Sequence, residues 1–549
     1  MKKLTTVITG IFALTLACSV FSCSEPIEKQ SNSGTKTSQS QNGQTQTETD
    51  SGAAQTPSEP SAPSYEPHVT TEKQRTFIKR MVNAVMRFEK EIDVSDLHIS
   101  CKSVPNEEPE YKTLYRDFFT YLESQNVFLF HLPLYTDPAY TYKPEAEDEV
   151  ALYKVDYLTE AADAESDFQK LTAAFLHYYA AVQESMSEAE AAYALYRELD
   201  KNVVYGENTG SQYQRTPIGA LLDGKGVCED YSRSYQQLLR GLRIASVCLE
   251  GKERAVYTKP TISHMWNSIQ IEGQWYNVDA TWDDYEWAEQ YGRSSCLGKH
   301  FLTSNNQFYG TLNHPLVYER YKPRLPNAVD TRYESGTCVF RNGDKKSEPF
   351  YHKSYWYYFS YNDMSICRSR FNGTGAQTLY QKKYAAETKY SSPSYTKLHR
   401  LAFGAEKIYF VDLAEQYASD FALYSLTYDG TGLQKLGNAP SPSDPLKDDS
   451  DIPRAEKPGL KALKVEVMLC KMKDAYYHGA EDYFTPESQE RKDFISAIHK
   501  AEALTASPAP NTAEAERLYN RLRLLRGGAG MEKHAANKSR RNTRRTKSF

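Results

Sequence analysis

The sequence predicts an α+β protein, and three observations carry that reading. An amphipathic helix opens at Cys228, with Tyr231, Tyr235, Leu238, Leu239 and Leu242 recurring at spacings of three and four. A hairpin follows: the period-2 run Trp266-Asn267-Ser268-Ile269-Gln270-Ile271 turns at Glu272-Gly273 and returns through Gln274-Trp275-Tyr276-Asn277-Val278-Asp279. Further along, a tyrosine-rich block of strands gives way to helical patterns near the C-terminus. At 549 residues the chain has room for three or four domains.

Taken in order, Met1-Lys2-Lys3 and the apolar run to Phe21 form a secretory signal, basic at its start and too short in its apolar part to span a membrane. It ends in Val20-Phe21-Ser22-Cys23-Ser24, which resembles a bacterial lipobox and so implies diacylglycerol on Cys23 after cleavage. Leu16-Ala17-Cys18 is a second candidate for that cut. Residues 24–70 are rich in Ser, Thr, Gln, Asn and Pro, too polar to bury a core, and read as a flexible tether. No other apolar run approaches the roughly 20 residues of a membrane helix. The expected protein is therefore extracytoplasmic, held at the cell envelope by its lipid.

Residues 71–185 start with an amphipathic helix through Phe77, Met81, Val85 and Phe88. Mixed segments follow, including Val127-Phe128-Leu129-Phe130, and then a helix around Leu171–Val182. This stretch is expected to be a helical extension packed on residues 186–330. Residues 335–440 repeat themselves: Tyr357-Tyr358-Phe359 and Phe371-Asn372-Gly373-Thr374-Gly375 recur as Ile408-Tyr409-Phe410 and Tyr428-Asp429-Gly430-Thr431-Gly432. The unit resembles propeller-type repeats, but two copies cannot close a propeller, so a small antiparallel module is expected. Its tyrosines are either half-buried strand residues or a surface for glycan or peptide. Residues 441–458 are a Pro/Asp/Ser linker. Residues 459–526 read as a helical bundle built from Leu460–Tyr477, a start at Thr485-Pro486-Glu487, Phe494–Leu504 and Ala513–Leu525, and resemble the stalks of cell-surface proteins. The tail, 527–549, is dense in Lys and Arg, either a solvated terminus or an arm touching anionic envelope polymers.

The chemistry concentrates in three stretches, Gly226-Val227-Cys228-Glu229-Asp230-Tyr231, His264-Met265-Trp266-Asn267 and Asn277-Val278-Asp279-Ala280-Thr281-Trp282-Asp283. A thiol, an imidazole and a carboxylate are the parts of a cysteine nucleophile, its base and the group that orients the base. A lone cysteine is usually a small core residue. Cys228 differs because it follows the Gly-rich turn Asp223-Gly224-Lys225-Gly226 and opens a helix, where unpaired N–H groups and the dipole favour a thiolate. If the hairpin loop holds two residues, paired positions sum to 545. Trp266 then faces Asp279, and His264 is the diagonal neighbour of Asp279 on one face. A three-residue loop would put them on opposite faces.

These motifs together resemble the core of the transglutaminase-like superfamily. The likeness covers roughly residues 150–325, with Asn202-Val203-Val204-Tyr205 before the cysteine and Lys299-His300-Phe301-Leu302-Thr303-Ser304 after the aspartate. It implies a papain-like fold in which the cysteine starts a helix packed on an antiparallel sheet. By the same resemblance Cys228 is the nucleophile, His264 the general base and Asp279 the orienting acid. Eukaryotic-type members place an oxyanion-stabilising tryptophan upstream of the cysteine. Here Trp266, Trp275, Trp282, Trp287 and Trp356 all lie downstream. The Cys228 amide would need another donor, with Tyr205 and Gln214 as candidates. The implied activity is cleavage of peptide or side-chain amides, or transfer of their acyl group, through a thioester. The alternative is an idle scaffold serving as a cell-surface binding or structural module.

Of nine cysteines, setting aside Cys18, Cys23 and Cys228 leaves Cys101, Cys248, Cys296, Cys338, Cys367 and Cys470, which could pair in an oxidising compartment or remain buried thiols. No cysteine or histidine spacing suggests zinc, and no EF-hand suggests calcium, so neither metal nor cofactor is expected. A net charge of −5 gives no pull toward nucleic acid. Expected partners are a peptide or protein substrate, the membrane through the lipid, and cell-wall or surface polymers through the tail, with no nucleic acid.

Overall fold

The computed structural model describes residues 71–103, 108–124, 128–132, 139–207, 210–252, 263–284, 298–312, 314–318, 325–341, 346–381, 401–413, 421–438, 457–477 and 486–527. The signal, Cys18, Cys23, the 24–70 tether, Trp287, Cys296, most of the 441–458 linker and the tail from residue 528 lie outside the described residues.

Helix α1 (Glu72–Met86) begins with a reciprocal cap. Gln74 N–H donates to Thr71 Oγ1 at 3.1 Å and Thr71 N–H to Gln74 Oε1 at 3.0 Å, satisfying two of the donors a helix start leaves unpaired. Strand β1 (Glu91–Asp93), helix α2 (Glu110–Ser124) and strands β2 (Ala139–Lys143) and β3 (Ala146–Lys154) follow. The three strands form an antiparallel sheet, order β1-β3-β2. Phe77, Met81, Val85, Ile92, Phe118, Val150 and Tyr153 share its core with both helices. The stretch expected to be a helical extension thus also carries a three-stranded sheet. Register shifts at Thr141/Tyr142 and Tyr142/Lys143 interrupt the β2–β3 ladder. They leave Val150 and Tyr153 as the buried residues of β3, spaced by three, so the alternation that marks a strand is missing. Phe88 lies past the helix in a left-handed conformation (φ 59°) and stacks on His131 at 4.4 Å.

The next layer holds α3 (Ala164–Tyr179), α4 (Glu188–Asn202), β4 (Val204–Tyr205), α5 (Gly219–Asp223), β5 (Lys225–Gly226), α6 (Cys228–Gly241), β6 (Ser246–Lys252), β7 (Ser263–Ile271), β8 (Gln274–Val278), the short α7 (Ala280–Asp283) and β9 (Leu316–Val317). Helix α3 starts seven residues before the segment expected from its pattern. The sheet β8-β7-β6-β9 is antiparallel and packs against α6. Tyr231, Tyr235, Leu238 and Leu239 of α6 are fully buried with Ile269, Ile271 and Tyr276, each aliphatic side chain contributing about 1.5–3 kcal/mol relative to exposure. Polar groups fix the slide of helix on sheet: Ser232 Oγ donates to Met265 O at 2.9 Å and Asn267 Nδ2 to Ser232 O at 2.9 Å.

The β7–β8 hairpin pairs Ile271 with Gln274 and Asn267 with Val278, the register of a two-residue loop. Both loop residues have positive φ, Glu272 at 49° and Gly273 at 77°, as a type I′ turn demands. The strained Glu272 is held by its amide, which donates to Glu188 Oε2 at 2.8 Å.

Helix α6 ends at Gly241 without a left-handed residue there. Instead the positive φ falls on Arg243, at 59°. Glycine is required at 241 because Tyr179, whose hydroxyl donates to Leu238 O at 2.6 Å, occupies the space a Cβ would need. Gly241→Ala is expected to destabilise by about 1–3 kcal/mol through overpacking. A urea melt superimposable on wild type would disprove this steric account.

Strands β10 (Phe350–His352), β11 (Tyr355–Ser360), β12 (Ser365–Ser369) and β13 (Gln377–Gln381) form one antiparallel meander. Strands β14 (Leu401–Phe403), β15 (Lys407–Leu413), β16 (Phe421–Thr427) and β17 (Gln434–Asn438) form a second. The repeat is real at the level of turns. Arg370 N–H reaches Thr374 O at 2.8 Å, and Thr427 N–H reaches Thr431 O at 2.9 Å. The register shifts at Ile366/Cys367 and Leu423/Tyr424 also correspond. Phe359, Ile366, Ile408, Phe410 and Leu426 are buried in a core common to both sheets, together with Tyr357, Tyr424 and Tyr428.

Helices α8 (Leu460–Tyr477), α9 (Gln489–Thr505) and α10 (Thr512–Gly527) form a three-helix bundle around Leu463, Phe494, Ile498, Leu518 and Leu522. It does not stand free as a stalk. Val465, Met468, Leu469 and Met472 belong to the same core as α4 and α6. The side chain of Glu184 caps α8, accepting from the amides of Gly459, Lys461 and Ala462 at 3.0, 2.9 and 2.8 Å. An acidic group there satisfies orphan donors and opposes the helix dipole. Cys101, Cys228, Cys248, Cys338, Cys367 and Cys470 are free thiols.

Candidate active site

Strand β5 delivers the chain to α6 so that Cys228 is its first residue. Asp230, buried within that first turn, accepts from Val227 N–H at 3.0 Å and Arg215 N–H at 2.6 Å. It ties the turn before the helix to the 210–218 loop. Gly219 and Gly226 leave the room it needs, since a Cβ on either would collide with its side chain. Burial raises the Asp230 carboxyl to about 6, against the backbone N–H bonds that favour its charged form.

Cys228 is half-buried at the head of α6, and its sulfur is near enough to His264 to help raise that imidazole's pKa. His264 sits near the start of β7, and its Nε2 is 2.6 Å from Asp279 Oδ2. Asp279 follows β8 and caps α7, its Oδ1 accepting from Thr281 and Trp282 amides at 2.9 and 3.1 Å. The two-residue turn puts His264 and Asp279 on one face, as the pairing sum of 545 requires. With Nε2 engaged by the carboxylate, Nδ1 is the imidazole nitrogen free to exchange a proton with sulfur.

Three groups around this core carry no role in the sequence reading. His314, fully buried, places Nε2 2.8 Å from the same Asp279 Oδ2. Trp282 stacks on the His264 ring at 5.2 Å and 21°, a face that favours an imidazolium. Asp283 accepts from His300 N–H and sits 2.8 Å from its Nδ1, while the Tyr196 hydroxyl lies 2.8 Å from both Asp283 Oδ2 and Asp279 O. Trp282 and Asp283 stood inside a recognised motif and could have been read as part of the site. His314 could not: it lies 35 residues past Asp279, beyond a π-helical turn at Asn306–Thr311, and no local pattern marks it.

The electrostatics are consistent around the ring. Burial disfavours a charged His264, but the Asp279 charge and hydrogen bond, with the Cys228 sulfur, outweigh it and raise the imidazole to about 10. Burial likewise opposes the Asp279 charge, yet His264 and His314 hold its carboxyl well below the usual range. Burial pushes His314 down to about 4, so it is a neutral donor. The arrangement is an ion pair with one charged and one neutral imidazole on a shared oxygen.

Among the described residues, His264, Asp279 and His314 form the group whose donor atoms, within 4.8 Å of one another, could hold a metal ion. Their geometry is that of direct hydrogen bonds, both imidazoles donating to one oxygen. A zinc at about 2.0–2.1 Å from each nitrogen would require both protons to leave. The donor set is filled by its own hydrogen bonds.

Of the two candidate oxyanion donors, Tyr205 is paired through β4 to Gly226, and burial, then the Cys228 charge, raises its hydroxyl above the usual value. Gln214 donates to Glu207, which also binds Arg215 at 2.9 Å.

A helix-borne thiol facing a strand-borne imidazole and a carboxylate, on an antiparallel sheet, defines the class: an α+β domain of papain-like layout. Residues 177–280 match the family model described as the transglutaminase-like superfamily, and the chain carries a domain of that superfamily. Kyphoscoliosis peptidase of Mus musculus is 24% identical over 31% of this chain and 26% of its own length. That of Homo sapiens is 24% identical over 36% of this chain and 30% of its own. The chain thus spans less than a third of the length of these curated relatives. A crystal structure of a TGase superposes with a TM-score of 0.19 at 10% identity, covering 29% of this chain and 46% of that one, too loosely to support an argument.

Proposed function

We propose that the chain is a cysteine-nucleophile enzyme acting on peptide or side-chain amide bonds at the cell envelope. The observation that carries this reading is the 2.6 Å contact of His264 Nε2 with Asp279 Oδ2, on an imidazole that also feels the Cys228 sulfur. The sulfur anion attacks the amide carbonyl, forming the C–S bond and a tetrahedral oxyanion. The Cys228 amide, among the first-turn N–H groups that lack an intrahelical acceptor, and the Tyr205 hydroxyl are the proposed donors to that oxygen. Imidazolium Nδ1–H protonates the leaving nitrogen as the C–N bond breaks, giving a thioester and a free amine. Nδ1, now a base, takes a proton from water as it attacks the thioester, and the sulfur leaves as the thiolate beside a restored imidazolium. A primary amine in place of water gives acyl transfer by the same steps.

A peptide-library screen against the full chain tests the proposal, with Cys228→Ala as control and a fluorescent primary amine added in a parallel set. Cleavage or amine incorporation that disappears in Cys228→Ala is the expected result. No turnover, together with Cys228 alkylation by iodoacetamide no faster than that of an ordinary thiol at pH 6, would leave a binding scaffold as the better reading.

A further inference from the structure

The histidine pair on Asp279 is asymmetric, and the asymmetry has a chemical use. His264 reaches Oδ2 at 2.6 Å and keeps some exposure, whereas His314 reaches the same oxygen at 2.8 Å and is fully buried. Its ring is boxed by aromatic side chains: Phe308 stacked at 3.8 Å, Trp282 at 4.5 Å and Trp266 at 4.6 Å. Such a box fixes the ring plane and disfavours a second positive charge. The amide of His314 is anchored to Phe308 O at 3.1 Å, so the π-helical turn that precedes it sets its depth.

We propose that His314 is a positioning residue for this site, its imidazole clamping Asp279 Oδ2 so that the carboxylate offers His264 one fixed acceptor. The inference rests on the proposed roles of Cys228 and His264. With Oδ1 held by the Thr281 and Trp282 amides and Oδ2 by His314, the carboxylate cannot rotate away from His264. A donor on Oδ2 also makes protonation of Asp279 harder, which keeps the imidazolium balanced. The titratable groups facing this cluster are Asp279 and His264, His300 with Asp283 behind it, Tyr309 at the ring edge, and Cys228 beyond His264.

Iodoacetamide alkylation of Cys228 from pH 4 to 9 tests this in wild type, His264→Ala, His314→Leu and His314→Gln, with thermal melts run alongside. Leucine fills the aromatic box without donating, and glutamine keeps an N–H donor at similar reach. The expected result is a loss of about 10-fold or more at pH 6 in His314→Leu, with its acid limb moved to higher pH as Asp279 takes up a proton more readily. His314→Gln should stay within about threefold of wild type. A His314→Leu profile that overlays wild type overturns the inference, as does equal impairment of both variants, which would mean a packing role. If His264→Ala is slowed and His314→Leu is not, this inference alone fails. If His264→Ala overlays wild type, the proposed function fails and takes this inference with it.

Discussion

The His264→Ala variant should lose about 10⁴–10⁶-fold in turnover on any peptide the chain cleaves, with little change in KM. The physical reason is that one ring performs two transfers. It keeps the Cys228 sulfur deprotonated before attack and returns the proton to the leaving amine after it. No neighbour can take over, because the His314 imidazole is engaged by Asp279 Oδ2 and burial disfavours its charged form. The residues act as a unit, so the Cys228→Ala/His264→Ala double variant should be no slower than the worse single one. Additive losses would show that His264 acts independently of the thiol, and the ion-pair account would be wrong. Asp279→Asn is expected to cost about 10⁴ for a related reason: an amide can present N–H rather than oxygen to His264 and select the wrong tautomer.

The largest effect outside catalysis is the pH dependence of stability. His264 is raised in the folded chain from its ordinary 6.5 to about 10. Its contribution is therefore fully present below pH 6.5 and is lost as pH rises through about 10. Asp279 is depressed, so its contribution is present above the ordinary carboxylate value and is lost as pH falls through its lower folded one. Their overlap places the pair's full effect between about pH 4 and 6.5. Unfolding free energy from urea titrations should fall by a few kcal/mol more between pH 6.5 and 10 in wild type than in His264→Gln. Taking the difference cancels the lysines and tyrosines that titrate over the same range. Parallel curves for the two proteins would mean that the imidazolium is not stabilised in the native state.

Much of the site is written locally. A helix that opens at a cysteine, a Glu-Gly turn that fixes hairpin register, and a two-residue periodicity that sorts faces are all short-range properties. They place Cys228 at a helix start and put His264 and Asp279 on one side of a ribbon. The strands of the 335–440 repeat and the bundle helices were legible for the same reason, because periodicity and turn chemistry act within a few residues. Where bulges broke the periodicity, as in β2 and β3, the strands could not be read from pattern.

Other features depended on contacts between distant segments. Glu184 caps a helix 275 residues away, and Gly241 is glycine because of a tyrosine in α3. His314 reaches Asp279 only through the fold of the intervening loop. Sequence by itself determined which groups could do acid, base and nucleophilic chemistry, since those are properties of residue type and of the first few neighbours. Only tertiary structure decided which of them share an oxygen and which histidine is left neutral. Desolvation and charge proximity are set by what the chain brings together from afar, and no local pattern encodes them.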